Sequence, residues 1–337
     1  MLPDLIDAFG ATDPLTYLAV FLGASLLMLW RLEAMLDHGL EGTALGTLVM
    51  PFCSGLGNLL FVFIMVRRGG PASAVLTNSL VNNVTNLTLL LGLPALCWTL
   101  LVVPAGKAAV KSEGKKSGAA KSASAPQINR LSLVLTLTAV VFFTGATWLL
   151  GRDGALSRTD GAVLIGLFGF WQCFQVYDVM KHNLTRRASF GFGFYADLVL
   201  VAAGAWLIYE SLDWLVAWLG QQKSGFVSAA NLGWLSGWLM VLPNALLAVF
   251  WGWKGRADVV YSSQVGDGHI CIPFGVGLLA LLHPVKVGAV FQDGLLLLAG
   301  AAGLHAVFLL TAGGLPRWAG ALFVAAYAWF LWDGLLG

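Results

Sequence analysis

Ten stretches of predominantly apolar residues, each long enough to cross a lipid bilayer, run through most of this 337-residue chain. A membrane-spanning helix needs about 20 such residues, because the hydrocarbon core of a bilayer is about 30 Å thick. The predicted spans are 15–33, 41–66, 72–104, 129–151, 159–180, 194–219, 228–253, 257–283, 288–312 and 316–336. Several are longer than the bilayer requires, which indicates tilted or broken helices. The pattern predicts an all-α integral membrane protein.

The scarcity of charge supports this fold class and excludes others. Charged residues make up 11% of the chain and the mean hydropathy is +0.81, whereas a soluble domain carries about 25% charged residues. No basic cluster is interleaved with aromatic residues, so nucleic-acid binding is not expected, and membrane lipid is the expected surrounding. The four cysteines lie in apolar segments without metal-ligand spacing and are predicted to be core residues. The oligomeric state stays open.

One segment interrupts the apolar pattern. Residues 105–128 are rich in Lys, Ala and Ser, and such a composition buries too little apolar surface to fold. We expect a disordered cytoplasmic linker there. Cytoplasmic loops carry an excess of Lys and Arg. When both termini are placed outside, the linker is cytoplasmic, and 13 of the 19 basic residues lie on the cytoplasmic side of the membrane. We therefore predict a plasma (inner) membrane protein with both termini outside.

Short motifs recur along the chain in the same order. The sequence Gly57-Asn58-Leu59-Leu60 returns as Pro243-Asn244-Ala245-Leu246, and Thr77-Asn78 returns as Ser263-Gln264. Further along, Leu156-x-Arg158-x-x-Gly161-Ala162 returns as Leu315-x-Arg317-x-x-Gly320-Ala321. The two copies of this last motif are closer together in the sequence than the copies of the earlier motifs. An insertion of the linker into the first half alone would produce this difference. These matches predict an internal repeat.

Each repeat contains five predicted spans. The first comprises spans 1–3 (residues 1–104) and spans 4–5 (129–180), and the second comprises spans 6–10 (194–337). An odd number of spans places the two copies in opposite orientations, which is the inverted-repeat plan of many secondary transporters. No hydrolase or kinase pattern, nucleotide-binding loop or large cytosolic domain accompanies them. We therefore expect a gradient-driven transporter rather than an enzyme, with no cofactor.

Polar side chains, which are costly in a membrane, are concentrated in the third and eighth spans. Asn78, Asn82 and Asn86 follow one another at intervals of four residues and form one stripe on a helix, with Asn83 beside them. The matching part of the eighth span contributes Ser263, Gln264, Asp267 and His269. Amide oxygens can bind a desolvated cation, and amide nitrogens can equally hold an anion.

The second and seventh spans each contribute one asparagine next to a helix breaker. Asn58 follows Gly55 and Gly57, and Asn244 follows Pro243, so we expect helix breaks that free backbone carbonyls. The predicted ion- or substrate-binding residues are Asn58, Asn78, Asn82, Asn83, Asn86, Asn244, Ser263, Gln264, Asp267 and His269. No metal site is assigned from spacing. Polar stripes also join membrane helices through hydrogen bonds, and this alternative stays open.

Two inverted five-helix repeats, each with a broken polar helix followed by an Asn-rich helix, resemble the sodium/calcium exchanger superfamily of cation antiporters. In that family each repeat carries Gly-Thr-Ser-x-Pro-Glu and then Gly-Asn-x-x-Gly-Ser-Asn-x-x-Asn. The stretch from Thr77 to Asn86 is similar to the second motif, with Asn78, Asn83 and Asn86 at its three Asn positions. The resemblance implies the exchanger fold and secondary transport of small inorganic ions.

The chain departs from the family at its charged positions. The acidic ligand of each repeat falls on Asn58 and Asn244, and Gln264, His269 and Ile272 replace the three Asn of the second repeat. A divalent cation needs several oxygen ligands and negative charge, and two neutral amides supply no charge.

The remaining acid is Asp267, which stands where the family has Gly. We predict a cation antiporter with altered selectivity, suited to a monovalent cation or a proton with Asp267 and His269 titrating. The transported cation stays open among Na⁺, H⁺ and Ca²⁺.

Two other functions remain open from the sequence. A transporter of a different small solute, organic or anionic, would use half-helix N-termini and amide nitrogens, and Asn58→Asp would abolish its uptake. A non-transporting membrane protein that has lost its ligands would tolerate apolar replacement of Asn82, Asn86 and Asp267.

Overall fold

The computed structural model describes residues 13–37, 50–102, 130–183 and 191–336. The first-half helices are α1 (Pro14–Asp37), α2 (Met50–Ser54), α3 (Leu56–Arg68), α4 (Ala72–Val84), α5 (Leu90–Trp98), α6 (Arg130–Leu150) and α7 (Arg158–Asn183). The second-half helices are α8 (Phe192–Gln221), α9 (Leu232–Trp253), α10 (Ala257–Val265), α11 (Gly277–Leu282), α12 (Ala289–Ala312) and α13 (Arg317–Leu336). The predicted linker, 105–128, lies outside the described residues.

The helical membrane architecture predicted from the sequence is confirmed. Eight helical stretches within the described residues are long and apolar enough to cross a bilayer. The other two predicted spans also contain helix: the second is described from Met50 onward and breaks at Gly55, and the fifth is α7. The third span is shorter than predicted, since its helix ends at Trp98 rather than near 104. Thr99 has a positive φ of 61°, which ends the helix.

Two membrane helices change to π-helical geometry in their middle. Helix α4 continues as π1 (Thr85–Leu89) into α5, and π2 (Ile270–Val276) precedes α11. Each irregular stretch lies at or just before a proline, Pro94 in α5 and Pro273 in π2. Proline removes a helical hydrogen bond and collides with the carbonyl four residues earlier, and a π turn is a common way for a helix to accommodate such a disturbance.

Helices from the two halves pack against each other throughout. The most extensive contacts between helices are those of α1 with α8, α6 with α12, α4 with α9, α13 with α5 and α7 with α11. As a result, the stretches Ala72–Trp98 and Ala257–Leu282 are the most enclosed of the eight candidate spans. These two stretches carry the predicted Asn stripe and the predicted acidic segment, and both lie in the middle of the protein.

Two short antiparallel strand pairs tie the halves together at the ends of the helices. Strand β1 (Leu100–Leu101) pairs with β4 (Gly314–Leu315), and β2 (Ala155–Leu156) pairs with β3 (Val285–Lys286). The last residue of β2, Leu156, and the last residue of β4, Leu315, are the first residues of the two repeated Leu-x-Arg-x-x-Gly motifs. Each of these two strands pairs with the strand that follows the irregular helix of the other half. This reciprocal pairing is consistent with the predicted inverted repeat.

The repeated glycine of that motif permits a close helix contact in both halves. A Cβ atom on Gly161 would lie 2.4 Å from the backbone nitrogen of Leu281 and 2.7 Å from the carbonyl oxygen of Gly277. A Cβ atom on Gly320 would lie 2.7 Å from the carbonyl oxygen of Gly92. Real Cβ atoms do not approach backbone so closely, so α7 and α13 reach α11 and α5 only because these positions lack a side chain.

We expect Gly161→Ala and Gly320→Ala to destabilise the protein by about 1–3 kcal/mol each, because the added methyl group must push two helix backbones apart. The measurement is the thermal unfolding temperature of the purified variants in detergent. Gly166→Ala is the matched control, since Gly166 lies on the same helix as Gly161 and a Cβ atom added there would have no neighbour within 4 Å. Equal unfolding temperatures for Gly161→Ala and Gly166→Ala would contradict the close contact.

Candidate functional site

The carboxylate of Asp267 is the centre of the polar cluster. It is fully buried, in the turn between α10 and π2, and accepts three hydrogen bonds from other helices. Ser54 Oγ donates to Oδ1 at 2.6 Å, while the Nδ2 atoms of Asn244 and Asn86 donate to Oδ2 at 2.7 and 3.3 Å. The donors belong to α2, α9 and π1, so four separate segments of the chain meet at one carboxylate.

The two predicted helix breaks have different outcomes. The break next to Asn58 is confirmed, because Gly55 separates α2 from α3 and leaves Ser54 at the end of a helix, facing Asp267. The break at Pro243 was a wrong prediction, since α9 runs without interruption from Leu232 to Trp253. The carbonyl of Asn244 is nevertheless used, as it accepts a hydrogen bond from Gln264 Nε2 at 3.2 Å.

The predicted Asn stripe faces helices of the second half. The Nδ2 atom of Asn78 donates to Ser236 Oγ on α9 at 3.1 Å, and that of Asn82 points at the sulfur of Cys271 on π2 at 3.6 Å. Asn86 lies within the π turn and reaches Asp267. Asn83 differs from the others, because its Nδ2 donates to the carbonyl of Ser79 in its own helix.

Several buried amide oxygens have no hydrogen-bond partner among the residues that the structure describes. They are the Oδ1 atoms of Asn58, Asn78, Asn82 and Asn86 and the Oε1 atom of Gln264. Most buried polar atoms in proteins are paired, so a group of unpaired acceptors needs an explanation. Amide oxygens beside a carboxylate are the donor set that hard cations bind. Asn86 offers such an oxygen next to Asp267, because its Nδ2 donates to that carboxylate while its Oδ1 is unpaired.

The remaining two predicted residues lie at the edge of this cluster. Ser263 accepts a hydrogen bond from Gln264 Nε2 at 2.9 Å and donates to the carbonyl of Val260. His269 is buried, and neither of its ring nitrogens has a partner within the described part of the chain. Its ring lies edge-on to Trp171, with the centroids 6.4 Å apart. The structure therefore places both near the cluster without joining either to Asp267 by a hydrogen bond.

A small cavity of about 20 Å³ adjoins the carboxylate's donors. Ser54 and Asn244 line it together with Ser25 and Cys53, and the sulfur-bearing side chain of Met240 closes part of it. A space of this size holds about one water molecule. The polar cluster thus borders a water-sized space between α1, α8 and the helices that carry Ser54 and Asn244.

Cysteine positions were predicted less well. Cys271 is buried, as expected, but Cys97 and Cys173 are exposed on the surface of the helix bundle. The prediction was wrong for these two because an apolar segment does not indicate which of its faces is turned toward lipid. Within the described residues, no group of three or more His, Cys, Asp or Glu side chains could hold a metal ion.

His305 is a buried polar residue that the sequence analysis did not identify. Its Nε2 lies 2.7 Å from the carbonyl oxygen of Leu87, and its Nδ1 lies 3.3 Å from the hydroxyl of Tyr261. A carbonyl can only accept, so Nε2 carries the proton and Nδ1 accepts from the tyrosine. The ring also stacks on Phe323 at 4.1 Å. His305 thus joins α12 to π1, α10 and α13, next to Asn86. Its only sequence signal was a lone histidine in an apolar span.

Comparisons with known proteins agree with this fold. The family described as "Sodium/calcium exchanger protein" matches residues 15–177. No curated protein sequence matches the chain. Among solved structures, the sodium-calcium exchanger NCX_Mj soaked with 2.5 mM Na⁺ and 10 mM Sr²⁺ aligns at a TM-score of 0.65 and 16% identity, covering 96% of this chain and 99% of that one.

Two other structures of the same exchanger align at similar TM-scores. With 2.5 mM Na⁺ and 0.1 mM Ca²⁺ the TM-score is 0.65 at 18% identity, covering 96% and 97% of the two chains. With zero Na⁺ and Ca²⁺ it is 0.62 at 18% identity, covering 94% and 96%. At these identities the likeness establishes the fold of the described part of the chain and carries no further conclusion.

We expect His305→Phe to destabilise the protein by about 1–3 kcal/mol, because it retains an aromatic ring but leaves the Leu87 carbonyl and the Tyr261 hydroxyl without their buried partner. Tyr261→Phe removes only the longer of the two bonds and should cost less. Thermal unfolding of both single variants and the double variant measures this. If the two single variants and the double variant all cost the same, only the bond between His305 and Tyr261 contributes, and His305 does not hold the π turn through Leu87.

Proposed function

We propose that this chain, which belongs to the sodium/calcium exchanger superfamily, is a secondary antiporter that carries small inorganic cations across the membrane. The observation that carries the proposal is the fully buried Asp267 carboxylate, held by three neutral donors from three other segments. A charge in the interior of a membrane protein is expensive to keep and is typical of an ion pathway.

The ten predicted residues have graded roles in this proposal. Asp267 supplies the charge, and Asn86 and Asn244 hold its oxygens in place with their amide nitrogens. The unpaired amide oxygens of the cluster replace the water that the ion loses on entry. Ser263 and His269 line the edge of the path, and Asn83 stabilises the helix that carries the stripe. Ser54 joins this set as a donor to Asp267.

The proposal includes a changed ion preference. The NCX_Mj structures that resemble this chain were soaked with Na⁺, Ca²⁺ or Sr²⁺. In this chain Asn58 and Asn244 occupy the positions that correspond to the family's acidic ligands, and both are neutral. Divalent cations depend on negative charge to offset their dehydration. We therefore propose that Ca²⁺ binds weakly here compared with other members of the family.

The orientation belongs to the proposal as well. The excess of Lys and Arg around the 105–128 linker supports a cytoplasmic linker with both termini outside, in the plasma (inner) membrane. An impermeant thiol reagent applied to cells should then label a cysteine introduced in this linker only after permeabilisation.

We expect proteoliposomes that contain the purified protein to show cation flux when Na⁺, K⁺, H⁺ and Ca²⁺ gradients are imposed in turn. Asp267→Asn should reduce this flux at least about tenfold, a loss that corresponds to about 1.4 kcal/mol or more, because it removes the carboxylate that attracts the ion. The measurement is tracer or dye-reported flux at equal protein content.

Asp293→Asn is the matched control. It makes the same chemical change at an exposed position on α12, away from the cluster, and should leave the flux unchanged. Absence of flux under every gradient from correctly folded protein would overturn the antiporter proposal in favour of another solute or a non-transporting protein.

A further inference from the structure

The polar cluster contains one formal charge, and no basic side chain among the described residues balances it. Two other acidic residues in buried or half-buried positions have basic partners. Asp197 pairs with Arg31 at 3.3 Å, and Asp213 accepts from Arg67 at 2.7 Å and from Arg68 at 2.8 Å. Asp267 has no ion pair in the described part of the protein, and its three donors are a hydroxyl and two amides.

The neighbouring groups do not change this balance. His269 and Cys271 lie on the same segment as Asp267, and Cys53 precedes its donor Ser54. The lining contributed by α4, π1 and α9 consists of amides, hydroxyls and apolar side chains. The ionised Asp267 is therefore one uncompensated negative charge in a low-dielectric interior, which a single monovalent cation or a proton would neutralise.

The ligand chemistry fits an ion of low charge. The unpaired amide oxygens are neutral, so an oxygen such as Oδ1 of Asn86, whose Nδ2 donates to Asp267, can replace water around an ion without adding charge. A monovalent cation at Asp267 leaves the occupied site neutral. A divalent cation leaves it with a net charge of plus one inside the membrane, because no second carboxylate of the described helices is hydrogen-bonded to Asp267 or its donors.

We propose that the polar cluster is a binding site for one monovalent inorganic cation, and that it discriminates against divalent cations by charge. The monovalent site is a statement about binding. It rests on the proposed cation transport only for the use that the cell makes of this binding. Charge discrimination is set by the number of carboxylates, so it can be reversed by adding one. Asn244 is the position to change, since its Nδ2 already lies 2.7 Å from Asp267 Oδ2.

The test is equilibrium binding to the purified full-length protein in nanodiscs, with Na⁺, Li⁺, K⁺, Ca²⁺ and Sr²⁺ titrated separately at constant ionic strength maintained by choline chloride. Radioactive Na⁺ and Ca²⁺ give the stoichiometry, and the thermal unfolding temperature gives the relative affinities. We expect one monovalent ion per chain, a Hill coefficient of about one, and an affinity for Ca²⁺ at least about tenfold lower than for the best monovalent ion.

Asn244→Asp should then raise the affinity for Ca²⁺ at least about tenfold, because two adjacent carboxylates favour a divalent ion. Asn231→Asp adds the same charge at a partly exposed position just before α9, outside the cluster, and should leave both affinities unchanged. If Asn244→Asp fails to fold, Asn58→Asp provides the corresponding change on α3.

The outcomes separate this inference from the proposed function. Tighter binding of Ca²⁺ than of every monovalent ion, or cooperative binding of several ions, would overturn the monovalent site while leaving cation transport intact. Saturable one-to-one Na⁺ binding without flux would support the site and count against transport. Binding of no cation by folded protein would overturn the site.

Discussion

The carboxylate of Asp267 lies where a charge is hardest to accommodate, and much of the central structure is arranged around it. An unpaired charge in a low-dielectric interior must be hydrogen-bonded, neutralised or exposed to water. Here three segments outside α10 and π2 supply donors, and two of them come from the other half of the molecule. The contact between the halves is therefore a polar contact at its centre, surrounded by close apolar packing such as that at Gly161 and Gly320.

The irregular helices determine which polar atoms reach that centre. Asn86 lies inside π1, so the direction of its side chain depends on a turn that is wider than an α-helical one. His305 donates to the carbonyl of Leu87, the next residue, and is itself oriented by Tyr261 and Phe323. A lone histidine outside the cluster thus supports the position of a residue inside it. Ser54 has a comparable support, because the break at Gly55 places it at a helix end.

Much of the fold could be predicted from the sequence because bilayer thickness and the scarcity of charge constrain helices strongly. The Asn stripe and Asp267 stood out because polar residues are rare in apolar spans. The irregularities could not be predicted as well. Pro243 was expected to break its helix but is accommodated within α9, whereas Pro94 and Pro273 accompany π turns that no spacing rule indicated. The pairing of His305 with Leu87 joins residues 218 positions apart, which no local pattern reveals.

The neutral residues at 58 and 244 are consistent with the carboxylate at 267. An amide at position 244 donates to Asp267 at 2.7 Å. A carboxylate in that place would put two negative charges within hydrogen-bonding distance, and the pair would then require a shared proton or a divalent ion. An asparagine instead contributes a donor to the carboxylate, while amide oxygens elsewhere in the cluster remain free for a ligand. The two asparagines and the single acid therefore belong together as one electrostatic arrangement, in which position 244 contributes a hydrogen-bond donor rather than a second charge.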